Sequence, residues 1–334
     1  MIFNSTKIYP KKINCGDIVG IIAPSSPINL PEKTIQAGYD FLLKKGLNIL
    51  ESENLRKKEN YTAGSIKERV DDIHAFFKNT DVKCIMTFWG GFNSNQLLDY
   101  LDYNLIKKNP KILIGYSDVT ALTLAITTKT GLITFSGPGL ISFTKPKPID
   151  YTWKYFSKLC IEPEEKLFIT QSDVFADDLY FLKKNNNNRI IKKNLGLKVL
   201  KEGLARGVIV AGNLQTILLL VGTPYFPKIN NTILFLEEAE DADICTVDRL
   251  LTQCRQMGIF NKVNGVIFGK FMSKTGFNDL NLKKLLKRIF DEINIPVMYD
   301  ANFGHTDPIF TIPNGGYCYL NTEKREIIFD RAIL

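Results

Sequence analysis

Short apolar runs alternate with helical patterns over the first 130 residues, and this alternation restricts the possible folds most strongly. The runs are rich in Ile, Leu and Val, as strands buried on both faces are. Between them, apolar residues recur every three or four positions, which predicts amphipathic helices. Strands are predicted over residues 17–23, 47–50, 82–88 and 111–114, and helices over residues 31–45, 65–78, 96–101 and 118–128. This order predicts an α/β fold with a parallel, doubly wound sheet.

A second unit begins near residue 203. Strands are predicted over residues 207–213, 232–236 and 265–271, helices over residues 214–221, 242–257 and 279–293, and a closing hairpin over residues 318–320 and 326–329. A chain of 334 residues is long for one core, so we predict two domains. The amino-terminal domain covers residues 1–150 and the carboxyl-terminal domain residues 201–334. Residues 151–200 form a connecting region, in which the asparagine run at 185–188 is predicted to be an exposed loop.

The formal net charge of +8 raises the question of an anionic partner. The lysines are scattered or paired, with no basic stripe interleaved with aromatic residues, so we predict no nucleic-acid partner. No apolar run reaches the length of a membrane span, and the amino terminus lacks the apolar core of a signal peptide. We therefore predict no membrane partner and a cytoplasmic location.

The cysteine and histidine content argues against a metal site. The six cysteines include no CxxC pair, and several lie in apolar runs, as buried free thiols in a reducing compartment do. With only two histidines, no zinc-ligand pattern is recognisable. We predict that the site contains no metal.

Ser117 lies in the segment KILIGYSDVTAL, on an abrupt turn between a predicted strand and a predicted helix. A serine on such a turn exposes its hydroxyl near the first backbone N–H groups of the helix. The motif Gly-Tyr-Ser-Asp-Val lacks the second glycine of the usual nucleophile elbow. Two interpretations stay open from these residues: Ser117 is a nucleophile, or its hydroxyl caps the helix.

A nucleophilic serine needs a base, and the chain offers two histidines. His74 lies beside the apolar stripe of a helix that Ser65 and Glu68 begin with a predicted capping box, so we interpret it as structural. His305 lies in an irregular polar segment that contains glycine and proline, and catalytic groups concentrate in such loops. We predict that His305 is the base.

The orienting carboxylate is predicted at Glu237, at the carboxyl end of a β-rich apolar run. In open α/β sheets, ligands bind outside the carboxyl ends of the strands. Glu238, Glu240, Asp241 and Asp243 follow, so composition alone does not separate Glu237 from a solvated acidic loop. The order Ser, acid, His is compatible with a catalytic triad.

Gly90 and Gly91 follow the predicted strand at residues 82–88. Glycines let a backbone approach a ligand closely, and exposed N–H groups there could stabilise an oxyanion. The other interpretation is that the pair only makes a strand-to-helix turn. The catalytic interpretation requires that the pair face Ser117.

Several segments together resemble the serine LD-carboxypeptidase family, and especially its microcin C self-immunity peptidase branch. They run in order over nearly the whole chain, with the weakest match between about residues 150 and 201. The matching segments are GDIVGIIAPSSPI, AGSIKERVDDIHAFF, GGFNSNQLLDYLDY, KILIGYSDVTALTLAITTKTGLITFSGP, AGNLQTILLLVGTPYFP, ILFLEE, KVNGVIFGKF and FGHTDPIFTIPNGG.

The resemblance implies a Rossmann-like amino-terminal sheet flanked by helices and a smaller carboxyl-terminal α/β domain of the swivelling type. It implies a Ser-Glu-His triad at the domain interface, formed by Ser117 in GYSD, Glu237 in FLEE and His305 in GHTDP. It also implies a homodimer. It implies that the reaction uses neither a metal nor an organic cofactor.

The resemblance further implies the parts of the site that surround the triad. The backbone N–H groups of Asp118 and of the Gly91-Phe92 turn would form the oxyanion hole. Asn93 in GGFNSN and Asn213 in AGNLQT would face the substrate.

The turn GGFNSN resembles the immunity branch more than the RGGYGS-like turn of the murein enzymes. It therefore predicts hydrolysis of the amide in an aminoacyl- or peptidyl-nucleotide. One alternative is a muramoyltetrapeptide LD-carboxypeptidase that releases a terminal D-amino acid in peptidoglycan recycling. Another is a non-catalytic two-domain protein that binds a small ligand. Residues 172–200 of the connecting region lack the tryptophan that the branch would stack on the base, and offer Phe175, Tyr180 and Phe181 instead.

Overall fold

A computed structural model describes residues 7–145, 149–180 and 189–334. The predicted asparagine loop at residues 185–188, like Phe181, lies outside the described residues. The α-helices are α1 (Glu32–Lys44), α2 (Ile66–Lys78), α3 (Tyr103–Lys108), α4 (Thr120–Thr130), α5 (Asp150–Cys160), α6 (Leu214–Leu219), α7 (Ile244–Gln256) and α8 (Asp279–Phe290). Short 3-10 helices lie at Ser94–Tyr100, Ser117–Val119, Leu140–Phe143 and Ser273–Thr275.

The strands form two large sheets and one small pair, and the mixed α/β fold is confirmed. The strands are β1 (Ile18–Ile22), β2 (Asn48–Glu51), β3 (Val82–Thr87), β4 (Ile112–Gly115), β5 (Thr134–Ser136), β6 (Lys166–Phe168), β7 (Val174–Phe175), β8 (Lys192–Lys193), β9 (Lys198–Lys201), β10 (Leu204–Asn213), β11 (Thr232–Glu237), β12 (Gly265–Gly269), β13 (Val297–Ala301), β14 (Ile312–Asn314), β15 (Tyr317–Asn321) and β16 (Glu326–Asp330).

The first sheet has the order β14-β5-β4-β3-β1-β2. Strands β1 to β5 are parallel, as the alternation of strands and helices predicts. The edge strand β14 comes from the carboxyl-terminal part of the chain and pairs antiparallel with β5. Neither β5 nor β14 is predicted from the sequence. Each has three residues, and β14 contains Pro313, which suits an edge strand because proline cannot donate a ladder hydrogen bond.

The second sheet has the order β6-β16-β15-β10-β11-β12-β13-β9. Its central strands β10 to β13 are parallel, and the strands on both sides of them are antiparallel. The predicted closing hairpin is present as β15 and β16. The carboxyl-terminal unit thus has a parallel centre with antiparallel edges.

Helix α4 joins the two units. It contacts α3 and β5 of the first unit and α6 and β10 of the second. Most of its residues are buried, which explains why its sequence lacks a one-sided apolar stripe. At the contact, a Cβ atom on Gly212 would lie 2.2 Å from the side chain of Thr120, so only glycine fits. The end of β10 is therefore held close to Ser117.

Helix α2 begins with the predicted capping box, in which Ser65 accepts from the backbone N–H of Glu68 and Glu68 accepts from that of Ser65. Its apolar stripe is buried. His74, on this helix, accepts a hydrogen bond from the backbone N–H of Asp102 at 2.9 Å. This bond connects α2 to the segment before α3, so the structural interpretation of His74 agrees with its surroundings.

Candidate active site

Ser117 lies where β4 gives way to α4. Its φ angle is +64°, in the left-handed region that non-glycine residues rarely adopt and that costs roughly 1–3 kcal/mol. It is the first residue of a 3-10 turn, and no side-chain capping bond is formed at the start of this turn or of α4. Among the described residues, the Ser117 hydroxyl bonds to the His305 ring and not to a backbone group of the helix. Its Oγ lies 3.0 Å from Nε2 of His305.

His305 lies in the loop after β13 and contacts Glu237, the last residue of β11. Its Nδ1 is 2.6 Å from Oε2 of Glu237. Gly304 makes this approach possible, because a Cβ atom there would lie 2.6 Å from the same Oε2 atom, and its φ of +98° suits glycine. The structure thus brings the three predicted triad residues into one hydrogen-bonded line.

The imidazole is in a strongly electrostatic environment. Burial by itself lowers the pKa of His305, but the facing Glu237 carboxylate and its hydrogen bond more than offset this, so the pKa is raised. The side chain of Glu237 is 3 % exposed, and its Oε1 has no hydrogen-bond partner among the residues that the structure describes. The carboxylate therefore acts on the imidazole at short range. This arrangement stabilises an imidazolium and fixes the tautomer that carries its proton on Nδ1.

The Gly90-Gly91 turn faces Ser117, which is the condition for a catalytic role. A Cβ atom on Gly90 would lie 2.8 Å from Cβ of Ser117 and 3.2 Å from the backbone nitrogen of Asp118. Gly91 lies even closer to the turn after β1, because a Cβ atom there would lie 2.4 and 2.3 Å from the hydroxyls of Ser25 and Ser26. The Gly90-Gly91 turn is thus fixed between Ser117 and the turn after β1.

Asp118, Phe92 and Asn93, the other residues predicted around Ser117, have different environments. The Asp118 carboxylate is buried and accepts from the backbone N–H of Ser94, while the Phe92 side chain is 73 % exposed. Asn93 donates its backbone N–H to Ser25, and its carbonyl accepts from Arg69. Asn93 is not part of the lining of the cavity described below.

Asn213 does line that cavity, but hydrogen bonds within the protein occupy its side chain. Its Oδ1 caps α6 by accepting from the backbone N–H and the hydroxyl of Thr216. Its Nδ2 donates to Glu238, which also accepts from the backbone and side chain of Gln215. Burial, followed by the charge of Glu237, raises the pKa of Glu238 to about 7.

A cavity of about 530 Å³ opens over Ser117 and His305. Its apolar walls include Trp89, Phe92, Tyr116, Ile141 and Leu219, and its acidic rim is formed by Glu240 and Asp241. The lining, as far as the structure describes it, contains no lysine or arginine. A second cavity of about 310 Å³ near Lys270 contains none of the triad residues.

Several lining residues are not predicted from the sequence. Tyr116 packs its ring edgewise against the His305 ring, with centroids 5.3 Å apart. Ser26 lies in the Pro-Ser-Ser-Pro turn after β1, and its carbonyl accepts from the indole N–H of Trp89. The signal that could have identified Ser26 is its position beyond the carboxyl end of a parallel strand.

Among the described residues, no three His, Cys, Asp or Glu side chains converge as metal ligands. The six cysteines are free thiols, of which Cys15 and Cys245 are exposed. Within the same residues, no helix combines the length and the apolar character that crossing a bilayer requires.

Two family models match the chain. The LD-carboxypeptidase N-terminal domain matches residues 19–137, and the LD-carboxypeptidase C-terminal domain matches residues 206–320. The putative carboxypeptidase YocD of Bacillus subtilis is 39% identical over 93% of this chain and 95% of its own length. The microcin C7 self-immunity protein MccF of Escherichia coli is 32% identical over 98% of this chain and 97% of its own length. A probable murein peptide carboxypeptidase of Bacillus subtilis is 28% identical over 98% of this chain and 96% of its own length.

Solved structures agree with this match. An MccF-like protein from Bacillus anthracis is 36% identical, with a TM-score of 0.92 over 97% of this chain and 99% of that chain. MccF in complex with glutamyl sulfamoyl guanosine is 31% identical, with a TM-score of 0.90 over 98% of this chain and 99% of that chain. The predicted family is confirmed: the chain belongs to the LD-carboxypeptidase family and is a serine-type carboxypeptidase, a hydrolase of peptide or amide bonds.

Proposed function

We propose that this protein hydrolyses the amide bond of an aminoacyl- or peptidyl-nucleotide, as a microcin C immunity peptidase would, with Ser117, His305 and Glu237 as its catalytic triad. The observation that carries the proposal is the hydrogen-bonded line from Glu237 through His305 to the Ser117 hydroxyl, which ends in a cavity with an aromatic wall. Nucleophile, base and orienting acid within hydrogen-bond reach are the geometric signature of acyl transfer.

The chemistry follows from this geometry. His305 Nε2 takes the Ser117 proton while Oγ bonds to the substrate carbonyl carbon, and Glu237 stabilises the imidazolium. The backbone N–H groups of Asp118 and of the Gly91-Phe92 turn stabilise the tetrahedral oxyanion; the loss of one such donor costs roughly 3 kcal/mol. The C–N bond then breaks, and the nitrogen leaves with the proton from Nε2. Water hydrolyses the acyl-enzyme by the same steps and restores Ser117.

The charge and shape of the cavity support a nucleotide conjugate. Trp89 and Phe92 offer flat apolar surface, on which a nucleobase can stack. Glu240 and Asp241 would attract the ammonium group of an aminoacyl moiety. A murein tetrapeptide carries several carboxylates, which bind best to arginine or lysine, and the described lining has neither. MccF has been solved with glutamyl sulfamoyl guanosine, a compound of the proposed class.

The connecting region is a weaker candidate for base stacking. The ammonium groups of Lys192 and Lys270 lie 5.7 and 4.7 Å from the ring centroid of Phe175, and the Tyr180 ring lies against the guanidinium of Arg189. Neither aromatic residue lines the cavity over Ser117. We therefore propose that Trp89 and Phe92, rather than Phe175 or Tyr180, contact the base.

The test compares two nucleotide compounds with a murein tetrapeptide that ends in D-alanine. Alanyl and glutamyl sulfamoyl adenosine are incubated with wild type, Ser117→Ala and the control Ser273→Ala, which lies at the second cavity. We expect wild type and the control to release sulfamoyl adenosine and Ser117→Ala to release none. The alanyl compound should be cleaved faster than the glutamyl compound, because Glu240 and Asp241 repel the side-chain carboxylate of the glutamyl group. Release of D-alanine from the tetrapeptide without cleavage of either nucleotide would refute the proposed substrate class in favour of peptidoglycan recycling.

The homodimer and the cytoplasmic location stay predictions. Light scattering coupled to size-exclusion chromatography measures the mass directly. Twice the chain mass of 37.9 kDa would support the homodimer, and a single chain mass would contradict it.

A further inference from the structure

Asp307 follows His305 by two residues and holds two buried cations. Lys145 donates from Nζ to both carboxylate oxygens, at 3.0 and 2.9 Å, and Arg189 donates from Nη2 to Oδ2 at 2.7 Å. The side chains of Lys145, Arg189 and Asp307 are only 6%, 4% and 13% exposed. Exposed ion pairs contribute little to stability, but these three charges are largely buried. Removal of one of them would leave a buried charge without its compensating partner.

The backbone of Asp307 is held as well. Its N–H donates to the carbonyl of Ala176 at 2.9 Å, and its carbonyl accepts from the N–H of Ala176 at 2.7 Å. Arg189 also donates from Nε to Asp178 at 2.9 Å. Every polar group of Asp307 thus bonds to a residue far away in sequence. Lys145 lies just after the 3-10 helix that follows β5, in the amino-terminal domain, whereas Ala176 and Arg189 belong to the connecting region.

The loop between β13 and β14, which carries His305, needs contacts of this kind to hold its position. No regular helix or strand is formed between the end of β13 at Ala301 and the start of β14 at Ile312. The imidazole itself contacts Glu237, Ser117 and the ring of Tyr116, and Gly304 precedes it with no side chain to pack. Thr306 is buried, but its hydroxyl has no hydrogen-bond partner among the described residues. Asp307 is therefore the nearest residue after His305 whose side chain is hydrogen-bonded to the rest of the protein.

We infer that Asp307 is a positioning residue for the catalytic base: it fixes the His305 loop so that Nε2 stays within hydrogen-bond reach of Ser117. The connecting region takes part in this positioning through Ala176 and Arg189. The role of Asp307 rests on the proposed role of His305 as the base, but not on the identity of the substrate. A displacement of a catalytic group by about 1 Å can cost roughly a hundredfold in rate, so a loosened anchor has a measurable effect.

The principal test is Asp307→Asn, which keeps the shape and removes the charge. We expect kcat to fall about 10- to 100-fold with KM within twofold of wild type, since His305 and not the substrate contacts would move. Asp307→Glu, which restores the charge, should recover part of kcat. Asp330→Asn is the matched control: Asp330 also accepts from one lysine and one arginine, Lys166 and Arg206, but lies on β16. It should keep full kcat.

Two further variants keep the outcome decisive. If Asp307→Asn does not fold, Arg189→Gln replaces it, since Asp307 then keeps Lys145; we expect a several-fold loss of kcat at unchanged KM. Unchanged kcat per folded molecule in either variant, or a change confined to KM, would overturn the role of Asp307. His305→Ala separates the two claims. Activity in that variant would refute the base, whereas an inactive His305→Ala with a fully active Asp307→Asn would refute only the anchor.

Discussion

Glu237→Gln is the perturbation that probes the proposed triad most finely. Glutamine has the shape of glutamate, so the 2.6 Å contact to Nδ1 of His305 can persist through its amide oxygen. What is lost is the negative charge, which lies on a side chain only 3 % exposed. The variant therefore separates the electrostatic role of Glu237 from its packing.

The size of the effect follows from Coulomb's law. Two unit charges roughly 4 Å apart at an effective dielectric constant of about 20 interact by about 4 kcal/mol. The imidazolium forms only as Ser117 is deprotonated, so this energy is lost from the transition state. At about 1.4 kcal/mol for each factor of ten, kcat should fall roughly a thousandfold, with KM little changed.

The pH profile supplies an independent measurement. Because the Glu237 carboxylate raises the pKa of His305, the wild-type enzyme should lose kcat/KM as the pH falls through that raised value. In Glu237→Gln the acidic limb should move to lower pH. Steady-state kinetics with alanyl sulfamoyl adenosine from pH 5 to 9 measure both effects. Glu238→Gln is the comparison, because Glu238 is an equally buried neighbour whose charge raises the pKa of His305 less than that of Glu237, and its effect should be smaller. A loss below tenfold and an unmoved acidic limb in Glu237→Gln would refute the assignment of the orienting acid.

Three further predictions concern stability and the turns around the site. His74→Ala should keep kcat within twofold and cost about 1 kcal/mol in urea unfolding, since only the bond from Asp102 is lost; complete inactivation would overturn the assignment of the base. Gly90→Ala should lower kcat more than tenfold with an unchanged far-UV circular dichroism spectrum, because its Cβ would lie 2.8 Å from Cβ of Ser117; full activity would refute this close approach. Burial raises the pKa of Glu238 from 4.5 to about 7 in the folded state, so the folded protein holds the proton more tightly, and the unfolding free energy should fall by about 3 kcal/mol as pH rises through that window. Urea titrations at pH 4.5 and 8 should show this extra fall in wild type and not in Glu238→Gln; equal falls would contradict it.

The sequence predicts the parallel strands well, because strands buried on both faces must be continuously apolar. It also predicts the turn at Ser117 and the capping box of α2, since both depend on residues within a few positions of each other. His305 could be chosen because the other histidine lies on an amphipathic helix. These are local signals, and they identify the three residues that the structure brings into one hydrogen-bonded line.

Pairings between residues far apart in the chain cannot be predicted from local sequence patterns. The contact of β14 with β5 joins residues far apart in the chain, and each strand is too short to show a pattern. The sequence does not indicate a role for Asp307, because its partners Lys145 and Arg189 are 162 and 118 positions away. Nothing in the acidic run after Glu237 indicates that Glu238 turns inward to hold α6 while Glu240 lines the cavity.

Trapping of the acyl-enzyme tests the central claim most directly. Wild-type protein is mixed with alanyl sulfamoyl adenosine, quenched in acid within milliseconds and digested for peptide mass spectrometry. The proposed mechanism predicts an alanyl group on the peptide that contains Ser117 and no such adduct in Ser117→Ala. An alanyl group on a different residue, or hydrolysis that persists in Ser117→Ala, would contradict it.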